Sequence, residues 1–228
     1  MIKYAIFDMD GLMIDTERLA QKSFYEYVGP KLGVQFEPGE LLGFIGKNRE
    51  ALNKWWDENI KAKYDIEEGW NEASAMSYEY QVAQIMQHGL KPKKGLIELL
   101  EWFKAHNIPC GVATSTDYEK VDLRLGEKGA NVLGYFKTVT GGNQVKKSKP
   151  DPEAFFTAME SLGFSDPSEG VVFEDSILGT KAGVDGGFNV IAVPDLVPLN
   201  QPHIKQCLAK VESLDQAIEI LEGKIVEE

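Results

Sequence analysis

Short apolar runs that alternate with amphipathic stretches constrain this chain more than any other feature. Residues 95–106 have helical spacing, with Leu96, Leu99, Leu100 and Phe103 on one face. Residues 108–113 then read as a strand that ends at Thr114-Ser115-Thr116-Asp117. A helix is expected over 118–128, closed by Gly129, and a short strand over 138–140. Further on come a helix over 152–162 closed by Gly163, a strand over 170–173 ending in Glu174-Asp175, a helix over 178–184 and a strand over 189–193. A last helix spans 213–221. The chain also opens on a strand, residues 2–8, which runs straight into Asp8, Asp10 and Gly11. Strands separated by helices predict a mostly parallel sheet covered on both faces, a three-layer Rossmann-like α/β core.

The alternation is interrupted once. From Thr16 to about Gly89 the chain is rich in Glu, Lys, Tyr and Trp, with few β-branched runs. Leu19, Phe24 and Val28 fit one helical face, Leu52, Trp55 and Trp56 a second, and Tyr78, Val82, Ile85 and Met86 a third. The expected organisation is a discontinuous α/β domain, 1–16 and 89–228, with an all-α domain inserted at 17–88. Its aromatics are expected to form its own core. An insertion that leaves the first strand at its C-terminal end belongs over the crevice where open α/β sheets bind ligands, so it reads as a lid.

Charge excludes some functions. A net charge of −12 leaves no basic footprint for nucleic acid. No long apolar segment reads as a membrane span, and nothing at the start reads as a signal peptide. Two cysteines, Cys110 and Cys207, suggest a reducing compartment. The expectation is a cytoplasmic monomer that acts on a small molecule.

The strand ends deliver a specific set of groups. The first gives Asp8 and Asp10, the second Thr114 with Ser115 and Thr116 behind it, and the fourth Glu174 and Asp175. The loop after the third gives Lys149, in Lys-Pro-Asp-Pro, where Pro150 biases the lysine to extended geometry. Singly, each has a plain structural explanation as a cap, a strand-end hydroxyl or a solvated charge. Together they supply a nucleophilic carboxylate, carboxylates for a divalent cation, an oxyanion-holding hydroxyl and a cation. Phosphoryl transfer needs that set.

The order and spacing of these motifs resemble the haloacid dehalogenase superfamily, in the subgroup with a helical cap after the first motif. Within it the chain is most similar to β-phosphoglucomutase-like and sugar- or nucleotide-phosphate phosphatases. The resemblance rests on Phe7-Asp8-Met9-Asp10-Gly11 with Asp15-Thr16-Glu17, Val112-Ala113-Thr114-Ser115, Lys149-Pro150-Asp151-Pro152, and Phe173-Glu174-Asp175-Ser176 followed by Gly179 and Ala182-Gly183. It implies that Asp8 attacks phosphorus to form an aspartyl-phosphate and that Asp10 is the general acid and base. It implies that Thr114 and Ser115 hold phosphoryl oxygens and that Lys149 neutralises charge. It further implies that Asp8, Asp10 through its carbonyl, Glu174 directly or through water, and Asp175 hold Mg²⁺. In the cap, Gly46-Lys47-Asn48-Arg49 is similar to the family's substrate-reading loop, with Phe44 and Trp55 nearby.

Two departures bear on the reaction. Mutases of this family carry a His five residues after the Asp of the Asp-Thr pair, where this chain has Ala20, and a Lys in the later cap helix, whereas residues 65–90 contain no Lys or Arg. The expectation is a Mg²⁺-dependent phosphatase acting on a small phosphate monoester, with a phosphosugar mutase second and a non-catalytic phosphate-binding relative third. Asn143 stands where the family often has an acidic residue, and His88, His106 and His203 lie outside every motif.

Overall fold

The first strand, β1 (Tyr4–Phe7), is buried at all four residues, as an unbroken apolar run in a sheet covered on both faces requires. The computed structural model describes residues 1–44 and 49–224, with Phe44 and Arg49 described by their backbone alone. Helix α1 (Thr16–Ser23) continues through a π-helical stretch, Phe24–Val28, into Gly29–Leu32. Helix α2 (Arg49–Trp56) likewise continues through Asp57–Lys61 into Ala62–Tyr64, and α3 is Trp70–His88. The alternation follows: α4 (Leu96–Ala105), β2 (Cys110–Ala113), α5 (Val121–Leu125), β3 (Phe136–Thr140), α6 (Glu153–Ser161), β4 (Gly170–Glu174), α7 (Ile177–Asp185), β5 (Asn189–Ala192), β6 (Ala209–Lys210) and α8 (Ala217–Glu222). The chain divides into two compact units, Met1–Asp15 with Leu90–Glu228, and Thr16–Gly89.

The larger unit holds one six-stranded sheet in the order β3-β2-β1-β4-β5-β6, and every neighbouring pair is parallel. Side chains alternate across β1. Ala5 and Phe7 enter a core with Leu96, Leu99, Leu100 and Phe103 of α4 and Ala217 and Leu221 of α8. Tyr4 and Ile6 enter another with Phe155, Ala158 and Met159 of α6 and Ala182 of α7. Period-two alternation therefore produces the three layers. Phe7 stacks on Phe173 of β4 with ring centroids 4.6 Å apart. Each such fully buried ring contributes about 1.5–3 kcal/mol from burial. The strand order reverses direction at β1 and β4, which opens a crevice beyond their carboxyl ends. The segments that leave and re-enter this unit meet nearby, through a bridge between Ile14 and Pro92 and a 2.8 Å bond from the Lys93 amide to the Met13 carbonyl.

The helical unit has its own aromatic core. Phe24, Phe36, Trp56 and Ile60 are buried together, Phe24 stacks on Trp70, and the Trp56 indole donates to the Glu68 carbonyl at 3.0 Å. Trp55 is half-buried and packs against this cluster.

Several element boundaries differ from the sequence reading. The helix after β2 ends at Leu125, where Gly126 turns the chain and its amide bonds the Asp122 carbonyl, rather than at Gly129. β6 is two residues long and carries no apolar run by which to find it. On α3 the buried face is Ala73, Ser77, Gln81 and Ile85, and Met86 is 56% exposed. Ser23 and Ser77 share a 2.6 Å hydrogen bond and the Gln81 amide donates to Ser77 at 3.0 Å. A satisfied polar stripe takes the place of an apolar one, and hydropathy alone does not reveal it.

Candidate active site

Asp8 follows the last residue of β1, and its amide bonds the Phe173 carbonyl of β4 at 3.0 Å. β2 on one side runs into Thr114, and β4 on the other ends at Glu174 and runs into Asp175. Two glycines permit this convergence. Gly11 has φ +87°, and a Cβ there would collide with the Asp175 carboxylate. A Cβ on Gly179 would collide with the Glu174 carboxylate.

Lys149 is the hub. Its ammonium donates to Asp8 Oδ1 at 2.5 Å, to Glu174 Oε1 at 2.6 Å and to the Ala113 carbonyl at 3.2 Å. The charge also lies 4.7 Å from the Phe155 ring centroid. Glu174 is fully engaged within the protein, because Oε2 accepts from the Ser176 amide and hydroxyl, both at 2.9 Å. Ser176 also caps α7 by accepting from the Gly179 amide at 3.0 Å.

Among the described residues, the buried charged side chains are Asp8, Lys149, Glu174 and Asp175, three carboxylates against one ammonium. Burial, opposed by Lys149 and reinforced by Glu174, pushes the Asp8 carboxyl up to about 8. Burial would lower the Lys149 ammonium, but Asp8 and Glu174 hold it above its ordinary range. The lysine therefore keeps its proton, and the site carries an excess of negative charge. A divalent cation suits that excess, and the oxygen-only donor set suits Mg²⁺. The carboxylates of Asp175 and Asp195 have oxygens within 4.8 Å of each other. Asp195 also forms a 2.5 Å ion pair with Lys93.

Thr114 is buried, and its hydroxyl accepts from the Thr116 amide at 3.1 Å. Ser115 is exposed at the loop tip. The loop after β3 braces this turn. The Gly142 amide bonds the Thr116 carbonyl at 2.8 Å, and Asn143 accepts from the Tyr118 amide at 2.9 Å and donates to Glu119 at 3.0 Å. Asn143 thus has a structural task.

Asp10 has partners that the sequence did not announce. Arg124 Nη1 lies 2.6 and 2.5 Å from its two carboxylate oxygens, and Thr116 Oγ1 donates to Oδ2 at 2.7 Å. The signal was available: Arg124 is one helical turn from buried Val121 and next to buried Leu125, on the inward face of α5. Asp195 had no such signal, because it lies in a loop between β5 and β6.

Asp8, Asp10, Thr114, Lys149, Glu174 and Asp175 therefore converge on one edge of the sheet. Gly46 and Lys47 lie outside the described residues, and Arg49 opens α2. Two of the histidines make local contacts: His106 Nδ1 lies 2.8 Å from the Trp102 carbonyl and His203 Nε2 lies 3.0 Å from Thr180 Oγ1. No helix among the described residues is long and apolar enough to cross a membrane.

The chain belongs to the haloacid dehalogenase-like hydrolase family, whose model matches residues 5–193. It is 30% identical over 187 residues to a phosphorylated carbohydrates phosphatase of Thermotoga maritima, covering 82% of each chain. It is 28% identical over 193 residues to a bifunctional riboflavin kinase/FMN phosphatase of Arabidopsis thaliana, covering 84% of this chain and spanning 48% of that protein's length. Its structure superposes with a TM-score of 0.77 on a candidate β-phosphoglucomutase of Thermotoga maritima, at 27% identity, covering 98% of this chain and all of the other.

Proposed function

We propose that this chain is a Mg²⁺-dependent phosphatase that hydrolyses a small phosphate monoester through an aspartyl-phosphate on Asp8. The observation that carries this reading is Lys149, a buried cation bonded at once to Asp8 and Glu174 beside a third buried carboxylate, Asp175. Mg²⁺ held by Asp8, Asp175 and the Asp10 carbonyl would supply positive charge to the phosphate oxygens. Glu174, with both oxygens engaged, acts on that centre by fixing Lys149 and Ser176.

The residues divide the work as follows. Asp8 attacks phosphorus as the bond to the ester oxygen breaks, and Asp10 gives that oxygen a proton. Water then attacks the phosphorus of the aspartyl-phosphate, Asp10 takes its proton, and inorganic phosphate leaves with Asp8 restored. Lys149 stays protonated throughout and offsets charge on the nucleophile and the phosphoryl oxygens. Thr114 and the amides of the braced turn after it hold those oxygens, and Ser115 sits at its tip.

The relatives' names favour a small phosphorylated metabolite, such as a sugar or nucleotide phosphate, as the class of substrate. Ala20 and the absence of Lys and Arg from residues 65–90 favour hydrolysis over mutation of a phosphosugar. The test is phosphate release from a panel of small esters that includes β-glucose 1-phosphate, with Mg²⁺ and with chelator, while glucose 6-phosphate is followed in parallel. Metal-dependent phosphate release that Asp8→Asn abolishes is expected. Glucose 6-phosphate forming without free phosphate would replace hydrolysis by mutation, and neither product from any ester would count against catalysis.

A further inference from the structure

We infer that Arg124 is the positioning residue for the general acid and base, acting with Thr116 to hold the Asp10 carboxylate in one direction. The inference rests on the phosphatase reading above and extends it to a residue outside the motifs.

The geometry joins three side chains. Arg124 Nη1 contacts both oxygens of Asp10, at 2.6 and 2.5 Å, and donates to Thr116 Oγ1 at 2.7 Å. Thr116 Oγ1 in turn donates to Asp10 Oδ2 at 2.7 Å. Arg124 comes from α5 and Thr116 from the turn that ends β2, so two elements converge on a side chain carried by the segment after β1. The Arg124 side chain is 11% exposed and that of Asp10 is 24% exposed. The clamp is therefore mostly shielded from solvent screening, whereas Asp10 stays reachable from the crevice. The apolar contact of α5 with the core is made by Val121 and Leu125.

A carboxylate that must deliver a proton to one oxygen and later take one from water gains from being held in place, since general acid–base catalysis depends on hydrogen-bond reach. Asp8, Lys149 and Thr114 do not depend on Arg124 for their contacts. Its removal should harm only the steps in which Asp10 moves a proton.

Arg124→Met and Thr116→Val test this against two kinds of ester. An alkyl phosphate has a poor leaving group that needs a proton, whereas p-nitrophenyl phosphate has one that leaves unaided. For Arg124→Met, kcat/KM should fall at least about tenfold further for the alkyl ester, within the range general acid catalysis contributes. The double variant with Asp10→Asn should be no slower on the alkyl ester than Asp10→Asn alone. Equal losses on both esters, no loss on either, or an additive double variant would each overturn the inference. If Arg124→Met does not fold, the same cycle built on Thr116→Val decides the question by the same outcomes. A wild-type protein that releases phosphate from no ester of the panel would count against the parent reading instead, and the two failures are thus distinct.

Discussion

As the proposed nucleophile, Asp8 must reconcile two demands that ordinarily conflict, deep burial and a negative charge. Lys149 meets only part of the second, because it is shared with Glu174. Burial raises the Asp8 carboxyl from its usual 3.8 to about 8, so the folded protein binds a proton there more readily than the unfolded chain. Without metal, stability present at low pH is therefore lost as pH rises from about 4 to about 8. Asp8→Asn removes the titrating group. It should flatten this dependence and raise the thermal midpoint of the metal-free protein at neutral pH, while abolishing turnover. Thermal unfolding of both proteins across that window checks it, and a wild-type stability that climbs with pH would contradict the account. Mg²⁺ held on the ionised carboxylate, as proposed, would make the wild-type dependence shallower. At this scale the sequence was informative where a residue sat in a motif, as for Lys149. Where a role came from packing it said less: Arg124 shows only as a charge on the inward face of a short helix, and Asp195 shows no pattern at all.

Elements are held to the site by their ends. β2 and β3 end together because Gly142 and Asn143 bond the turn that carries Thr116 and Tyr118. Strand centres were legible because parallel strands buried on both faces read as continuous apolar runs. Their ends, and β6, were not, because two residues at a sheet edge leave no hydropathic trace. In the helical unit the buried stripe of α3 runs through Ser77 and Gln81, which hydrophobic spacing passes over. Ser77 takes part in bonds with both Ser23 and Gln81. Ser77→Ala should therefore cost about 1–3 kcal/mol, the range for leaving a buried polar group unsatisfied. Urea unfolding would measure it, and a loss within error of zero would show that the stripe tolerates an apolar replacement.

On the scale of the molecule, one parallel sheet brings four sequence-distant segments to its central carboxyl ends. The topology, with β1 between β2 and β4, makes that convergence unavoidable once the strands form. Sequence alternation sufficed to predict the layers, and the motif order sufficed to place Asp8 beside Thr114, Lys149 and Asp175. The residues that would select the substrate were not legible, because specificity loops carry no periodicity and few fixed residue types. The net charge of −12 makes the local arithmetic sharper still: in an acidic protein, the proposed phosphate site would depend on a few local cations and a metal.

The central claim is that Asp8 carries the phosphoryl group. Acid-quenching the enzyme during turnover of a hydrolysed ester, followed by peptide mass spectrometry, tests it most directly. The account predicts the added mass of one phosphoryl group on the peptide containing Asp8, localised to that residue and absent in Asp8→Asn. Phosphate release with no modified Asp8 peptide, or with the phosphoryl group on another side chain, would contradict it.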